Sequence, residues 1–289
     1  MGWLGRTLDG IAHWLLKWRI IHGPARWIAN SRYAWGFISR TDRVRTNRLQ
    51  TRVMSRPLPQ HISIIMDGNR RFAADKGMAS AFGHRLGKEK VEEVMDWVLD
   101  MGIPYLTVYA LSTENIQGRK PDELEELYDL YVEGLRDIAK NERIHRHQVR
   151  VQIAGREELL PARVLEAIEL AVEETQGYEK FVFTVCLAYG SREEIIDAIR
   201  DIAADHAKGE IELDGIDEAE VSKRLWTGDL PDPDLIIRTS GEERISNFLL
   251  WQSAYSEMYF TDVFWPSFQR RDLLEAIDAY QKRKRRYGG

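Results

Sequence analysis

HISIIMDGNRR, residues 61–71, is the stretch on which the reading of the chain turns. Ile62, Ile64, Ile65 and Met66 make a short apolar run with β-branched residues, the pattern of a buried strand. The run stops at Asp67-Gly68-Asn69, and Arg70-Arg71 open a helical-looking stretch. A carboxylate at the carboxyl end of a buried strand, followed by glycine and cationic side chains, suits a metal diphosphate. Glycine lets backbone approach a ligand closely, and the N–H groups of a helix start favour negative charge. Arg grips phosphate oxygens in a fork, and Asp holds Mg²⁺. The same residues also read as a strand, a DG turn and a solvated Arg pair. The rest of the chain has to choose.

Downstream of residue 57, strand and helix patterns alternate, which argues for a single α/β domain with a largely parallel central sheet flanked by helices. Strands are expected at 61–66, 105–111, 149–153, 181–188 and 234–238. Helical periodicity covers 84–101, 121–140, 161–175, 191–207, 217–226 and 270–285. Gly102 and Pro104 stop the first of these.

The 289 residues are 44% hydrophobic and 30% charged, ordinary for a globular chain. One cysteine, Cys186 in the apolar run FVFTVCLA, excludes an internal disulfide framework and reads as a buried thiol in a reducing, cytoplasmic setting. No apolar run is long enough to span a membrane. The net charge of −5 hides a division. Residues 1–56 carry Lys17 and ten Arg against Asp9 and Asp42, a net of +9, and five of the nine Trp. Residues 1–56 are therefore set apart as a basic, Trp-rich extension to a domain of residues 57–289. Leu4, Leu8, Ile11, Leu15 and Trp18 fall on one helical face, with Arg6, Asp9, His13 and Lys17 opposite. Such an amphipathic helix fits peripheral contact with an anionic membrane surface. A nucleic acid would leave its apolar face without purpose, so no nucleic-acid partner is expected. A helix packed on the main domain is the alternative.

Polar residues that need a reason gather where the strands end, the usual place for ligands in open α/β sheets. After the first strand stand Asp67 to Arg71, with His84 further on. Ser112, Thr113, Glu114 and Asn115 follow the second. Arg238, Thr239, Ser240, Gly241, Arg244, Ser246 and Asn247 follow the 234–238 strand. Arg in two of these three loops, with little Lys, points to an anion of defined geometry, such as diphosphate. Glu257, among the aromatics of WQSAYSEMYF, is costly to bury without a metal or an Arg partner. P-loop, GxGxxG, GxSxG, HExxH and DDxxD motifs are absent.

HISIIMDGNRR, AFGH, LSTEN, DLIIRTSGEERISNFLLWQSAYSEMYFTDVFWP and the terminal RRYGG strongly resemble the cis-prenyltransferases, the undecaprenyl diphosphate synthases. The resemblance covers roughly residues 57–289, and the block 234–266 is its most specific part. The extended N-terminus looks like the archaeal or eukaryotic type rather than the short bacterial one. The resemblance implies Mg²⁺-dependent condensation of isopentenyl diphosphate onto an allylic diphosphate (farnesyl or geranylgeranyl), giving a long polyprenyl diphosphate for a glycosyl carrier lipid. It implies that Asp67 helps hold Mg²⁺ and assists departure of the allylic diphosphate, which Gly68, Asn69, Arg70 and Arg71 cradle. His84 matches a histidine near the reacting centre, and Ser112, Glu114 and Asn115 the SxEN segment that positions substrate, with Asn115 read as catalytic. Arg238, Arg244 and Ser246 match the isopentenyl diphosphate site, and Glu257 a second metal-associated carboxylate. Arg286 and Gly288 match a C-terminal element that reaches the active site across a homodimer.

Some positions depart from the family pattern. Arg70 stands where glycine is usual, Phe72 where tryptophan is frequent, and Ile116 in place of the tryptophan of ENW. An extra residue precedes Arg119, and Ser80 replaces a phosphate-binding arginine for which Arg70 would compensate. Phe72 and Arg119 are still counted among the substrate-binding residues. Two other readings compete: an inactive partner subunit of the same fold, which would usually have lost Asp67 or the Arg loops, and an unrelated Mg²⁺-dependent phosphate-binding enzyme.

Overall fold

Residues 44–283 are described by the computed structural model of the chain. The chain divides into two compact units, Met1–Thr51 and Arg52–Gly289. The amphipathic pattern of residues 4–18, and Arg286 and Gly288, lie outside the described residues. The described part of the first unit belongs to a helix, α1, over 44–54.

Six strands build the sheet of the second unit: β1 (His61–Ile65), β2 (Tyr105–Tyr109), β3 (Val149–Ala154), β4 (Phe181–Cys186), β5 (Leu235–Arg238) and β6 (Glu257–Phe260). Their order across the sheet is β3-β4-β2-β1-β5-β6, and every pair is parallel. Parallel strands need helical crossovers, which cover both faces and ask for continuous apolar runs. Accordingly β1, β4 and β5 are buried at every residue.

The crossovers are α2 (Asn69–Asp75), α3 (Ser80–Met101), α4 (Thr113–Gly118), α5 (Pro121–Lys140), α6 (Glu142–His147), α7 (Ala162–Thr175), α8 (Ser191–Lys208) and α9 (Glu218–Lys223), and α10 (Arg270–Lys282) follows β6. Their ends follow ordinary chemistry. α5 opens on Pro121 with Asp122 and Glu123 in its first turn and closes on Lys140, each favourable to the helix dipole. Gly102, at φ +73°, ends α3 in the left-handed conformation.

Four elements are absent from the sequence reading: α1, whose residues are set apart with the basic extension, and three more. α4 and α6 have six residues each, too few to show a period. β6 has four half-buried residues at the sheet edge, so neither alternation nor a buried run marks it.

Candidate active site

β1 and β5 lie side by side, and the chain leaves them in opposite directions, toward β2 on one side and β6 on the other. Such a divergence opens a crevice beyond the carboxyl ends of the strands. Asp67 follows β1 by two residues, and Arg238 is the last residue of β5. Arg238 Nη2 donates to Asp67 Oδ2 at 2.8 Å, across the crevice. Arg71, one helical turn after Asp67, donates from Nη2 to Asp67 Oδ1 at 3.0 Å and to Ser240 Oγ at 2.5 Å. The Asp67 backbone is equally fixed. Its N–H donates to Thr239 Oγ1 at 2.9 Å, and that hydroxyl donates to the Asp67 carbonyl at 2.6 Å. Gly68 makes the turn at φ +105°, where a Cβ would stand 2.8 Å from the Phe264 ring and 2.9 Å from Ser240 Cβ. No side chain fits there.

The SxEN segment is a capped helix start. Ser112 Oγ accepts from the Asn115 N–H at 3.1 Å and from Asn115 Nδ2 at 2.8 Å, satisfying an otherwise orphan donor and holding the Asn115 amide. Asn247, at φ +60°, reaches over from the third loop. Its Nδ2 donates to Glu114 Oε1 at 3.0 Å and to Glu193 Oε2 at 3.1 Å. Thr113 Oγ1 donates to the other oxygen of Glu193 at 3.2 Å. Glu193 thus ties the 112–115 loop to the 244–247 loop. Sequence reasoning missed it, because an acid in the first turn of a helix is commonplace. Arg238 Nη1 donates to Ser246 Oγ at 2.7 Å and to the Arg244 carbonyl. The Arg244 side chain is exposed and pairs with Glu242, which also takes Arg71 Nη1 at 3.0 Å.

A second cluster centres on Glu123, another residue the sequence did not single out. Arg119 Nη1 donates to Glu123 Oε1 at 2.5 Å, with His84 Nε2 at 3.5 Å and Arg70 Nε at 3.6 Å. Arg70 is largely exposed at that distance, and Phe72 is half-buried in the same helix. Burial, then the Arg119 charge, holds His84 down to about 4, so the ring is neutral at pH 7. Burial raises the Asp67 carboxyl, but hydrogen bonds and charge from Arg238 and Arg71 outweigh it and hold Asp67 below the ordinary carboxylate range.

Asp67, Asn69, His84, Ser112, Asn115 and Arg119 line one cavity of about 680 Å³, together with Glu114, Arg238 and Ser246. Its polar end lies at the crevice, and its body is walled by Val91 and Met95 of α3, Leu127 and Leu135 of α5, and Val108 and Phe183 of the sheet. Two buried donors of the polar cluster, Arg238 Nε and Arg119 Nε, have no hydrogen-bond partner, and neither has the buried acceptor Asn69 Oδ1. Arg150, Arg156 and Arg270 also carry an unpaired Nε, so what sets Arg238 and Arg119 apart is that they line the cavity. An anion would complete the two Arg. The Asp67 carboxylate fits a hard cation whose remaining ligands are phosphate oxygens, the usual way Mg²⁺ is held. No group of three or more potential metal-ligating side chains occurs among the described residues.

Glu257 does not join them. It opens β6, at the amino end of the strand and opposite Leu235, whereas Asp67 lies past the carboxyl end of β1. Its carboxylate pairs with Arg283. Parallel register puts the two acids at opposite ends of the sheet, so within one chain they share no metal.

The family model described as "Putative undecaprenyl diphosphate synthase" matches residues 65–288. A tritrans,polycis-undecaprenyl-diphosphate synthase (geranylgeranyl-diphosphate specific) from Methanopyrus kandleri is 53% identical over 240 residues, 83% of this chain and 88% of its own. The protein so named from Methanocaldococcus jannaschii is 52% identical over 233 residues, 80% of this chain and 83% of its own. Among solved structures, lavandulyl diphosphate synthase from Lavandula x intermedia, in complex with dimethylallyl diphosphate, superposes with TM-score 0.77 at 36% identity, covering 80% of this chain and 99% of that one. Sequence, sheet order and the converging Asp67 and Arg loops agree: the chain belongs to the undecaprenyl diphosphate synthase family and is a prenyltransferase.

Proposed function

We propose that the protein extends geranylgeranyl diphosphate by repeated cis condensation with isopentenyl diphosphate, in a Mg²⁺-dependent reaction. The product is a long polyprenyl diphosphate, precursor of a glycosyl carrier lipid. The observation that carries this reading is the bridge from Arg238 to Asp67 at the mouth of a deep apolar cavity. A charged head and an apolar tail find their complements in one continuous space. The names of the relatives at 52–53% identity support the geranylgeranyl primer.

Ionisation of an allylic diphosphate leaves a spread cation and a concentrated anion. Asp67 would hold Mg²⁺, which when bound would supply charge neutralisation for a departing diphosphate. Arg71 and Arg238, already oriented by Asp67, Ser240 and Ser246, add donors that need no reorganisation as charge develops. The loop carrying Arg244 and Ser246 holds the second diphosphate so that its alkene meets the allylic carbon, and the new cation then loses a proton to restore an alkene. Neutral His84 and the Ser112–Asn115 pair orient substrate. Arg286 and Gly288 belong to the same proposal, as residues reaching a homodimer partner's site. So does cytoplasmic residence with peripheral membrane contact through residues 1–56. Among the described residues no helix is long and apolar enough to cross a membrane.

The test is incorporation of labelled isopentenyl diphosphate with farnesyl or geranylgeranyl diphosphate, with and without Mg²⁺, for the native chain and Asp67→Ala. Elongation that requires Mg²⁺, prefers the geranylgeranyl primer and falls by about 10³-fold in Asp67→Ala is expected, the scale seen when one main electrostatic contact is removed. No incorporation from either primer would sink the reading in favour of an inactive partner subunit.

A further inference from the structure

The start of α8 holds the segment that follows Arg244. Three residues of that segment, Ser246 at φ +51°, Asn247 at +60° and Leu249 at +46°, lie in the left-handed region. The region is unfavourable for residues other than glycine, and Asn tolerates it better than Ser or Leu. Such a conformation persists only where the surroundings over-determine it, and several contacts do so. The Ser191 N–H donates to the Asn247 carbonyl at 2.9 Å, and Ser191 Oγ accepts from the Leu250 N–H at 2.9 Å. Phe248 has no exposed surface and stacks on Tyr109, with 4.6 Å between ring centroids.

The Asn247 side chain completes the arrangement. The Arg192 N–H meets it at 2.9 Å. Only the amide oxygen can accept that bond, so Nδ2 faces the other way, toward two carboxylates. Its two protons serve one carboxylate each, Glu114 Oε1 at 3.0 Å and Glu193 Oε2 at 3.1 Å. Thr113 Oγ1 sets its single proton between the remaining oxygens, with Glu193 Oε1 at 3.2 Å and Glu114 Oε2 at 3.4 Å. Gly190 leaves the room, since a Cβ there would stand 2.2 Å from Glu193 Oε2. Turning the Asn247 amide over would set N–H against N–H and oxygen against carboxylate. Glu193 does not line the cavity, whereas Glu114, Ser246 and Asn247 do.

We propose that Glu193 is a positioning residue for isopentenyl diphosphate, acting through Asn247 to hold the strained 246–249 segment in its binding shape. The inference rests on the chain-elongation reading above. Ser246 Oγ accepts from Arg238 Nη1 at 2.7 Å, so the segment also aims the guanidinium at the crevice. Without the Glu193 bond the segment relaxes toward ordinary backbone angles and takes Ser246 with it. The second diphosphate then has to order its own site on binding, and that ordering weakens affinity. Arg71 is held by Asp67 and Ser240 rather than by this segment, so the allylic side keeps its shape.

Two measurements test this on the native chain, Glu193→Ala and Glu193→Gln. One is incorporation of labelled isopentenyl diphosphate with each substrate varied in turn. The other is calorimetric titration of isopentenyl diphosphate without primer, where no reaction occurs. Glu193→Ala should raise KM for isopentenyl diphosphate and weaken its binding by about tenfold, the scale of one lost hydrogen bond to a charged group. KM for the geranylgeranyl primer should stay where it is. Glu193→Gln keeps an oxygen for Asn247 Nδ2 and should remain near the native values. Should Glu193→Ala fold poorly, Asn247→Asp carries the same test. It sets a third carboxylate against Glu114 and Glu193 and should raise the same KM, and adding Glu193→Gln, whose amide can donate to the new carboxylate, should restore much of the loss. Native affinity for isopentenyl diphosphate in Glu193→Ala, an equal rise in both KM values, or the same loss in Glu193→Gln overturns the positioning role alone. A native chain that neither binds isopentenyl diphosphate nor elongates removes the chain-elongation reading and the inference together.

Discussion

Two side chains, one half-buried and one buried, show how much of this molecule is decided by hydrogen-bond partners rather than by residue type. Asp67 keeps its charge in the crevice because Arg71 and Arg238 each give it a hydrogen bond. His61, on β1 and 2% exposed, is kept neutral by the opposite arrangement. Its Nδ1 lies 2.7 Å from the Pro231 carbonyl, which only accepts, so Nδ1 carries the proton. Nε2 is then the acceptor for the Thr107 hydroxyl at 2.8 Å. Burial lowers the His61 pKa to about 4, against smaller upward contributions from Pro231 and Asp234. Between about 4 and 6.5 the unfolded chain binds the proton that the folded chain refuses, so stability rises with pH across that window. His61 alone should cost on the order of 3 kcal/mol when the pH is taken from 7 to 4. Denaturant unfolding measured through that range should show a steep acid loss, flattened in His61→Gln. An unchanged pH slope in the variant would remove His61 from this account. The acid loss is distinct from that of Asp67, whose depressed pKa keeps its contribution until the pH falls below the ordinary carboxylate range.

At the scale of elements, the site depends on how closely α2 is seated on α3. A Cβ on Gly83 would stand 2.2 Å from the Asn69 carbonyl oxygen, and one on Gly87 2.6 Å from the Asn69 side-chain oxygen. Two glycines a turn apart on α3 are therefore the surface on which the start of α2 rests. Because the contact at Gly83 is with backbone, it cannot be relieved by a rotamer change. Gly83→Ala should push α2 outward and destabilise the fold by about 1–3 kcal/mol, the range for overpacking. Displacing Arg71 from Asp67 should also raise KM for the allylic substrate more than it lowers kcat. Equal stability and unchanged KM would show that the seat is loose. Elements also mark where sequence reading stops. The strands of the sheet interior were legible because burial on both faces leaves an unbroken apolar signature, and α3 and α5 because their periods run over many turns. β6 was not, since four half-buried edge residues carry neither signal. Asp67, Arg71 and Arg238 were legible as polar residues at strand ends. Glu193 and Glu123 were not, since each looks like an acid placed for a helix dipole. Glu257 was read as needing a metal or an Arg partner, and it has Arg283; an acid among aromatics says nothing about which end of a strand it occupies.

For the whole molecule the open question is where the catalytic unit begins, since composition divides the chain at 56 and packing places Arg52 in the larger unit. Val53 has no exposed surface. Arg52 donates from Nε and Nη2 to the two oxygens of Asp278 on α10, both at 2.9 Å, and Arg56 Nη1 lies 3.7 Å from the same carboxylate. Gln281 donates to the carbonyls of Val53 at 2.9 Å and Pro57 at 3.0 Å. Asp278 is 6% exposed at its side chain and would keep only Lys282, at 2.6 Å, if the segment were cut away. Burial raises its carboxyl, and hydrogen bonds from Lys282 and Arg52 are what hold it below its ordinary range. A chain beginning at residue 57 therefore loses a fully buried valine, worth about 1.5–3 kcal/mol, and leaves a covered carboxylate short of partners. A chain beginning at residue 44 loses neither. The longer form should be more stable than the shorter by about 3 kcal/mol or more in denaturant unfolding, with the difference narrowing at low pH as Asp278 is protonated. Equal stability of the two forms would mean that residues 52–56 merely lie against the unit. The comparison also governs the proposed membrane contact. Liposome co-sedimentation lost on cutting at 57 confounds lipid binding with a weakened α10, whereas loss on cutting at 44, with stability unchanged, assigns the contact to the basic, Trp-rich segment.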